Sequence, residues 1–286
     1  MVKPRALTKA DYLQIANDIE EAFRRYGVQI RALSDIQMLI TEVRWLANHI
    51  NGLSGLSEND LKRGQDAFRR AEQAGNVAFT FKRLGNTQIP REKIEALKDR
   101  LDCLNERGNS RAPDIFFELE VAGRLARPWC ADWNVSFEEP DIVVRCPAGE
   151  VAFACKRPKS ANRIPQRIVE ATKQGIKTKL MTFVMVGMDD ILMGSRLWRA
   201  KRENDLRRTA RNLLRDSSTT RKCEEAIQLA FSKGAAGVVF CLWYVALVPG
   251  ANGLALRWGP MHRRIANRAI PDAEKTLDVL VRLMEQ

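Results

Sequence analysis

The chain has 286 residues, of which 45% are hydrophobic and 29% charged, a globular composition with enough length for one large or two modest domains. Its formal charge of +12 at pH 7 favours an anionic partner, nucleic acid ahead of an acidic membrane surface. Six scattered cysteines with no CxxC pair, and two histidines, argue against zinc and for free thiols in a reducing cytoplasm; a polar amphipathic start and the lack of a long apolar run argue against a signal peptide or a bilayer span.

Residues 8 to about 107 predict four helices. Thr8 is placed to cap the first, which carries Tyr12, Ile15, Ile19, Ala22, Phe23 and Tyr26 at three-to-four spacing and ends at Gly27. Ser34 caps a second, with Ile36, Leu39, Ile40, Val43, Leu46, Ala47 and Ile50 on one stripe and Asn51-Gly52 at its close. Ser57 opens a third, through Leu61, Ala67, Phe68 and Ala71 to Gly75. A loop from Gly85 to Pro90 precedes a fourth, from Arg91 to about Glu106. These stripes predict the core of a small bundle. No catalytic spacing falls within it, and His49 has no matching ligand.

Gly108 to Pro113 marks the boundary between a helical domain, residues 1–108, and an α/β domain, residues 112–286. Asp114 is placed to cap a helix carrying Glu118, and Val135 to Phe137 predicts a short strand. Asp141 to Cys146 and Val151 to Lys156 predict two strands around the turn Pro147-Ala148-Gly149-Glu150. A hairpin centred between Ala148 and Gly149 sets Asp141 opposite Lys156, at about 5 Å between Cβ atoms. Ala152 and Ala154 share the face of Lys156 and leave room beside its charge, while Val151, Phe153 and Cys155 face a core. A helix follows within Arg163 to Leu180, with Pro165 at its start. Met181 to Gly187 reads as a buried strand, Gly237 to Val248 as a long β-rich run, Leu254 to Trp258 as its return, and a helix capped near Asp272 carries Leu277, Leu280, Val281 and Met284.

A basic run begins at Arg196 and continues through Arg199, Arg202, Arg207, Arg208, Arg211, Arg215, Arg221 and Lys222. A second cluster is His262-Arg263-Arg264 with Arg268. Both read either as phosphate-contacting surface or as solvated helix faces.

Phe117-Glu118 in a helix, Pro140-Asp141, a hairpin, Lys156-Arg157-Pro158 and a second helix follow one another in an order that resembles the PD-(D/E)XK nuclease superfamily. The resemblance spans roughly residues 112–180. Pro140-Asp141 matches the PD element, Lys156 looks like the end of the (D/E)XK element, and the run from Glu118 to Leu125 is similar to the acid-bearing first helix of Mrr-like members. One position departs: Ala154 stands where the acid two residues before the lysine belongs. Some restriction enzymes of the superfamily carry that acid in the following helix, and thirteen residues after Lys156 lead to Glu170. The implied fold is α+β, an N-terminal helical bundle followed by a restriction endonuclease-like α/β core whose central mixed sheet is flanked by helices.

The resemblance implies Mg²⁺- or Mn²⁺-dependent hydrolysis of DNA, in restriction or phage defence. Asp141 and Glu170 would supply carboxylate ligands, the backbone carbonyl of Cys155 a further one, and Glu118 a second metal ligand or a hold on bound water. Lys156 would orient the attacking water and stabilise negative charge. Gln174 lies one turn beyond Glu170 on a face with Gln166, Lys173 and Lys177. With Arg157, Arg199, Arg207, Arg211 and Arg263 it makes up the expected nucleic-acid surface. Duplex cutting, which uses two active sites, favours a homodimer. The residues by themselves leave alternatives open: a structural Asp141–Lys156 ion pair, Glu170 as an exposed helix acid, Glu120 in place of Glu118, or a nucleic-acid-binding module that lost catalysis with Ala154. Cys155 lacks a nearby histidine and is not expected to be a nucleophile.

Overall fold

A computed structural model describes residues 8–32, 34–49, 58–85, 87–97, 112–127, 130–147, 149–192, 198–199, 202–216, 223–250 and 253–285. Helix α1 (Lys9–Arg25) begins where the sequence places it. The Thr8 hydroxyl accepts from the Asp11 N–H at 3.3 Å, and the Asp11 carboxylate accepts from the Thr8 N–H at 2.7 Å. This reciprocal cap satisfies donors that the first turn leaves bare. The helix gives way at Gly27, whose φ of 64° lies in the left-handed region. Helix α2 (Asp35–His49) opens with the Ser34 hydroxyl accepting from the Gln37 N–H at 3.2 Å. The His49 ring stacks on Trp45 of the same helix, with Nδ1 2.8 Å from the Trp45 carbonyl.

Helix α3 (Glu58–Leu84) does not stop at Gly75. Its stripe continues through Val77, Ala78, Phe81 and Leu84, all buried, and that burial outweighs the ~1 kcal/mol a helical glycine costs. Next comes α4 (Arg91–Ala96), anchored by buried Ile94 and Leu97. The expected continuation to Glu106, the expected signals at Ser57 and Asn51-Gly52, and the Gly108 to Arg111 part of the boundary lie outside the described residues. Helix α5 (Ala112–Leu125) starts ahead of Asp114. Asp114 is therefore an acid of the first turn and not the cap, and there it meets the positive end of the helix.

The chain then forms β1 (Asn134–Ser136), β2 (Ile142–Cys146), β3 (Gly149–Lys156), α6 (Ile164–Ile176), β4 (Met181–Gly187), α7 (Asp189–Leu192), β5 (Trp198–Arg199) and α8 (Glu203–Asp216). After these come α9 (Glu224–Ser232), β6 (Gly237–Gly250), β7 (Gly253–Ala266) and α10 (Ala273–Met284). The order across the sheet is β1-β2-β3-β4-β6-β7, with β5 beside the far half of β6. Strands β3, β4, β5 and β6 run parallel, whereas β1, β2 and β7 pair antiparallel with their neighbours. The fold is α+β around an open mixed sheet. Strand β7 is longer than the expected return, and it takes His262, Arg263 and Arg264 into the sheet. Asp272 precedes α10 but makes no side-chain cap bond.

Alternation along the strands divides the core into two layers. Val151, Phe153, Cys155, Phe183, Met185, Val239, Cys241 and Trp243 join the apolar side chains of α1–α5 and α10 in one continuous cluster. Ala154, Val184, Val186, Val238, Phe240 and Leu242 face α6, α8 and α9 in the other. The N-terminal helices thus share a core with one face of the sheet. Gly123 of α5 lets α3 come close, since a Cβ there would lie 3.1 Å from the Thr80 carbonyl oxygen.

The hairpin register is shifted from the expected one. Cys146 pairs with Gly149, Arg145 with Glu150 and Ile142 with Phe153. Pro147 has no N–H for a ladder bond, so pairing ends at Cys146. Arg145 faces Glu150 directly, and its Nε donates to that carboxylate at 3.1 Å. The slip is two residues, which preserves the face of every side chain. Among the described residues no helix is long and apolar enough to cross a membrane.

Candidate active site

Asp141 stands immediately before β2. Extending the register by one residue sets it against Ala154, so Lys156 is its diagonal neighbour, within reach of a long side chain. The Lys156 Nζ lies 3.6 Å from Asp141 Oδ2, and the same oxygen accepts the Cys155 N–H at 2.7 Å. The two side chains are 15% and 12% exposed, which leaves their interaction little screened. Burial raises the Asp141 carboxyl above its ordinary value; the charge of Lys156, the Cys155 N–H and the charge of Lys93 oppose that rise. The Cys155 thiol is buried and pushed well up by that burial, so it is held as the neutral thiol.

Glu118 approaches from α5, in the opposite layer, and forms an ion pair with Lys93 of α4. Burial, then the negative charge of Asp141, raise its carboxyl to about 7 against the pull of Lys93 and Lys156. The Lys93 ammonium also lies 5.8 Å from the centre of the Phe137 ring. The site is therefore a set of four paired titratable groups: Lys93 on Glu118, and Lys156 on Asp141. Lys93 is the member that sequence reasoning misses. Its partner comes from another helix, and no local pattern marks Lys93, the one lysine of α4, as more than a helix-surface charge.

Glu170 lies on α6 as expected but faces solvent in part, at 38% exposure. It accepts from Arg167 and from Gln166, each at 2.8 Å. Desolvation, the largest single influence, raises its carboxyl; together the bond and charge of Arg167, the bond of Gln166 and the charge of Lys156 outweigh it and hold the group below its usual range. Glu170 thus feels Lys156 while being bound to Arg167. Among the described residues no three His, Cys, Asp or Glu side chains gather into a metal-holding group. The desolvated carboxylates of Asp141 and Glu118 still suit Mg²⁺, which keeps several of its waters and needs one or two carboxylates.

Glu120, the alternative to Glu118, belongs to a second buried cluster. It accepts a hydrogen bond from Asn76, and burial, then the charge of Asp189, raise it to about 8. Asp189 accepts the Trp243 N–H at 2.6 Å and is raised to about 7, chiefly by burial. Arg157 donates to Asp190 at 2.9 and 3.1 Å, with Asp189 4.0 Å away. Its guanidinium, expected on a phosphate, is thereby engaged inside the protein. Arg124 stacks over Trp243 at 4.4 Å. The signal that finds this cluster is Asp189-Asp190 just past the end of the buried parallel strand β4, separated from Gly187 by Met188 alone, since ligand crevices form at the carboxyl ends of such strands.

Of the expected nucleic-acid surface, Arg207 and Arg211 are exposed on α8, opposite buried Leu206, Ala210 and Leu214. Arg263 instead donates to the Leu214 and Arg215 carbonyls at 3.0 and 3.2 Å, closing the end of α8. Gln174 is half-buried, and its Oε1 is buried without a hydrogen-bond partner among the described residues. Arg199 lies on β5, its side chain outside the described residues. Comparison with models of protein families, with curated proteins and with solved structures finds no match to the chain.

Proposed function

We propose that the chain is a metal-dependent nuclease with a restriction endonuclease-like core, hydrolysing phosphodiester bonds of DNA in restriction or phage defence. The observation that carries this reading is the convergence of Asp141 and Lys156, largely out of water, at the carboxyl end of β3. Asp141 and the Cys155 carbonyl would hold Mg²⁺ or Mn²⁺, with Glu118 of α5 near enough for its charge to interact with that of Asp141. When bound, such an ion supplies a polarised phosphoryl oxygen and an activated water. The Cys155 N–H fixes one oxygen of Asp141 to the β3 backbone, so the strand sets the carboxylate's orientation. Lys156 offers ammonium donors to negative charge developing on the phosphate, in surroundings where such charge is weakly screened. The arginines of α8 add salt-dependent affinity for the backbone.

A second reading is a nucleic-acid-binding module of the same fold without catalysis. It is favoured by Ala154, which is fully buried against α6, and by the Arg167 partner that Glu170 keeps. Incubation with plasmid and single-stranded DNA, in Mg²⁺ or Mn²⁺ against EDTA, separates the two. The nuclease cleaves only with metal and loses cleavage in Lys156→Ala. Glu170→Ala loses it as well where Glu170 is the migrated acid, and keeps it where Asp141 and Glu118 suffice. DNA binding that weakens with salt, without cleavage in either metal, identifies the silent module.

A further inference from the structure

Lys93 comes from the helical part of the chain, yet its ammonium rests on an acid of the candidate site. The Lys93 and Glu118 side chains are 21% and 11% exposed. The Lys93 charge also acts on Asp141, and the Phe137 ring lies near the ammonium. Helix α4 does not fray into solvent here: Ile89, Ile94 and Leu97 around Lys93 are all buried. On the other side Lys156 answers Asp141. Two carboxyl groups and two ammonium groups therefore alternate through the site. A second divalent ion at Glu118 would have to displace an ammonium or sit against it, and like charges at contact distance in a poorly solvated site repel strongly. We infer that Lys93 is a built-in cation, occupying the position at Glu118 that a second metal ion would take and leaving a single divalent-ion position at Asp141. The inference rests on Asp141 and Glu118 being the cation-facing carboxylates of the proposed nuclease. It adds that the N-terminal helices, through α4, set how many ions the site takes.

Mn²⁺ titration of the full chain, followed by electron paramagnetic resonance of free Mn²⁺ and by calorimetry, tests this apart from cleavage. Wild type should bind one Mn²⁺, and Lys93→Met, which keeps an apolar stem beside Phe137, should bind two. Adding Glu118→Gln to Lys93→Met should return the stoichiometry to one. Lys93→Arg, which keeps a cation beside Glu118, should bind one Mn²⁺ as wild type does; this arm does not depend on the Lys93→Met fold. Equal Mn²⁺ binding by wild type and folded Lys93→Met overturns the inference, as does a second Mn²⁺ bound by Lys93→Arg. A Lys93→Met protein that gains an ion while neither protein cuts DNA upholds the inference and fails the nuclease reading. Cleavage by wild type without that gain does the reverse.

Discussion

Asp141 is held by a backbone N–H on one strand and by the ammonium of the diagonal residue, both at a single oxygen. Asp141→Asn keeps the shape of the side chain and removes its charge. It should therefore slow metal-dependent cleavage by about 10²–10³-fold while DNA binding, measured by salt titration, stays in place. Glu120 supports a different prediction. Its folded-state carboxyl is raised from 4.5 to about 8, so the folded chain retains a proton that the unfolded chain has released. Its contribution to stability is full at low pH and is lost as pH rises through about 8. Glu120→Gln should flatten this slope in denaturant titrations at acidic, neutral and alkaline pH; an unchanged slope would assign it to other groups. At this scale the sequence makes Asp141, Lys156 and Glu118 legible through residue type and order. It does not reveal Lys93, because a salt bridge between two helices leaves no periodic trace in either.

The elements are legible where one physical signal dominates. The Thr8 and Ser34 caps, the buried run of β4 and the Pro165 start of α6 all stand close to where local chemistry puts them. The discrepancies arise where two signals compete. Gly75 signals a stop, but the apolar stripe of α3 runs on beyond it. Gly149 suggests the centre of the hairpin, but Pro147 cannot pair and moves the turn. Gly175 of α6 is a position where the packing requires glycine. A Cβ there would lie 2.3 Å from Thr182 Cγ2, and Thr182 is buried with its one hydroxyl proton shared between the Leu180 and Gly175 carbonyls, 3.0 and 3.3 Å from its oxygen. Gly175→Ala should push α6 away from β4 and cost roughly 1–3 kcal/mol, read as a lower denaturation midpoint. An unchanged midpoint would mean that the helix shifts at no cost.

Across the whole molecule, Lys and Arg outnumber Asp and Glu by 47 to 35, and α8 concentrates part of that excess on one exposed face. Arg211 and Arg215 are exposed there. Replacing each with alanine should weaken DNA binding alike across sequences and lower the slope of log K against log salt by about 0.9 per lost duplex phosphate contact. An unaltered slope would make α8 a solvated face. The composition indicates the sign of the partner's charge, but burial decides which arginines are available: Arg157 and Arg263 are engaged by Asp190 and by the end of α8. The most direct test of the central claim is cleavage of supercoiled plasmid in Mg²⁺, with enzyme in excess so that binding does not limit the rate, for wild type beside Asp141→Asn. The account predicts nicking by wild type and a loss of about 10²-fold or more in the variant, with DNA still bound. Equal cleavage by the two proteins, or a wild type that binds the plasmid and leaves it intact, would contradict it.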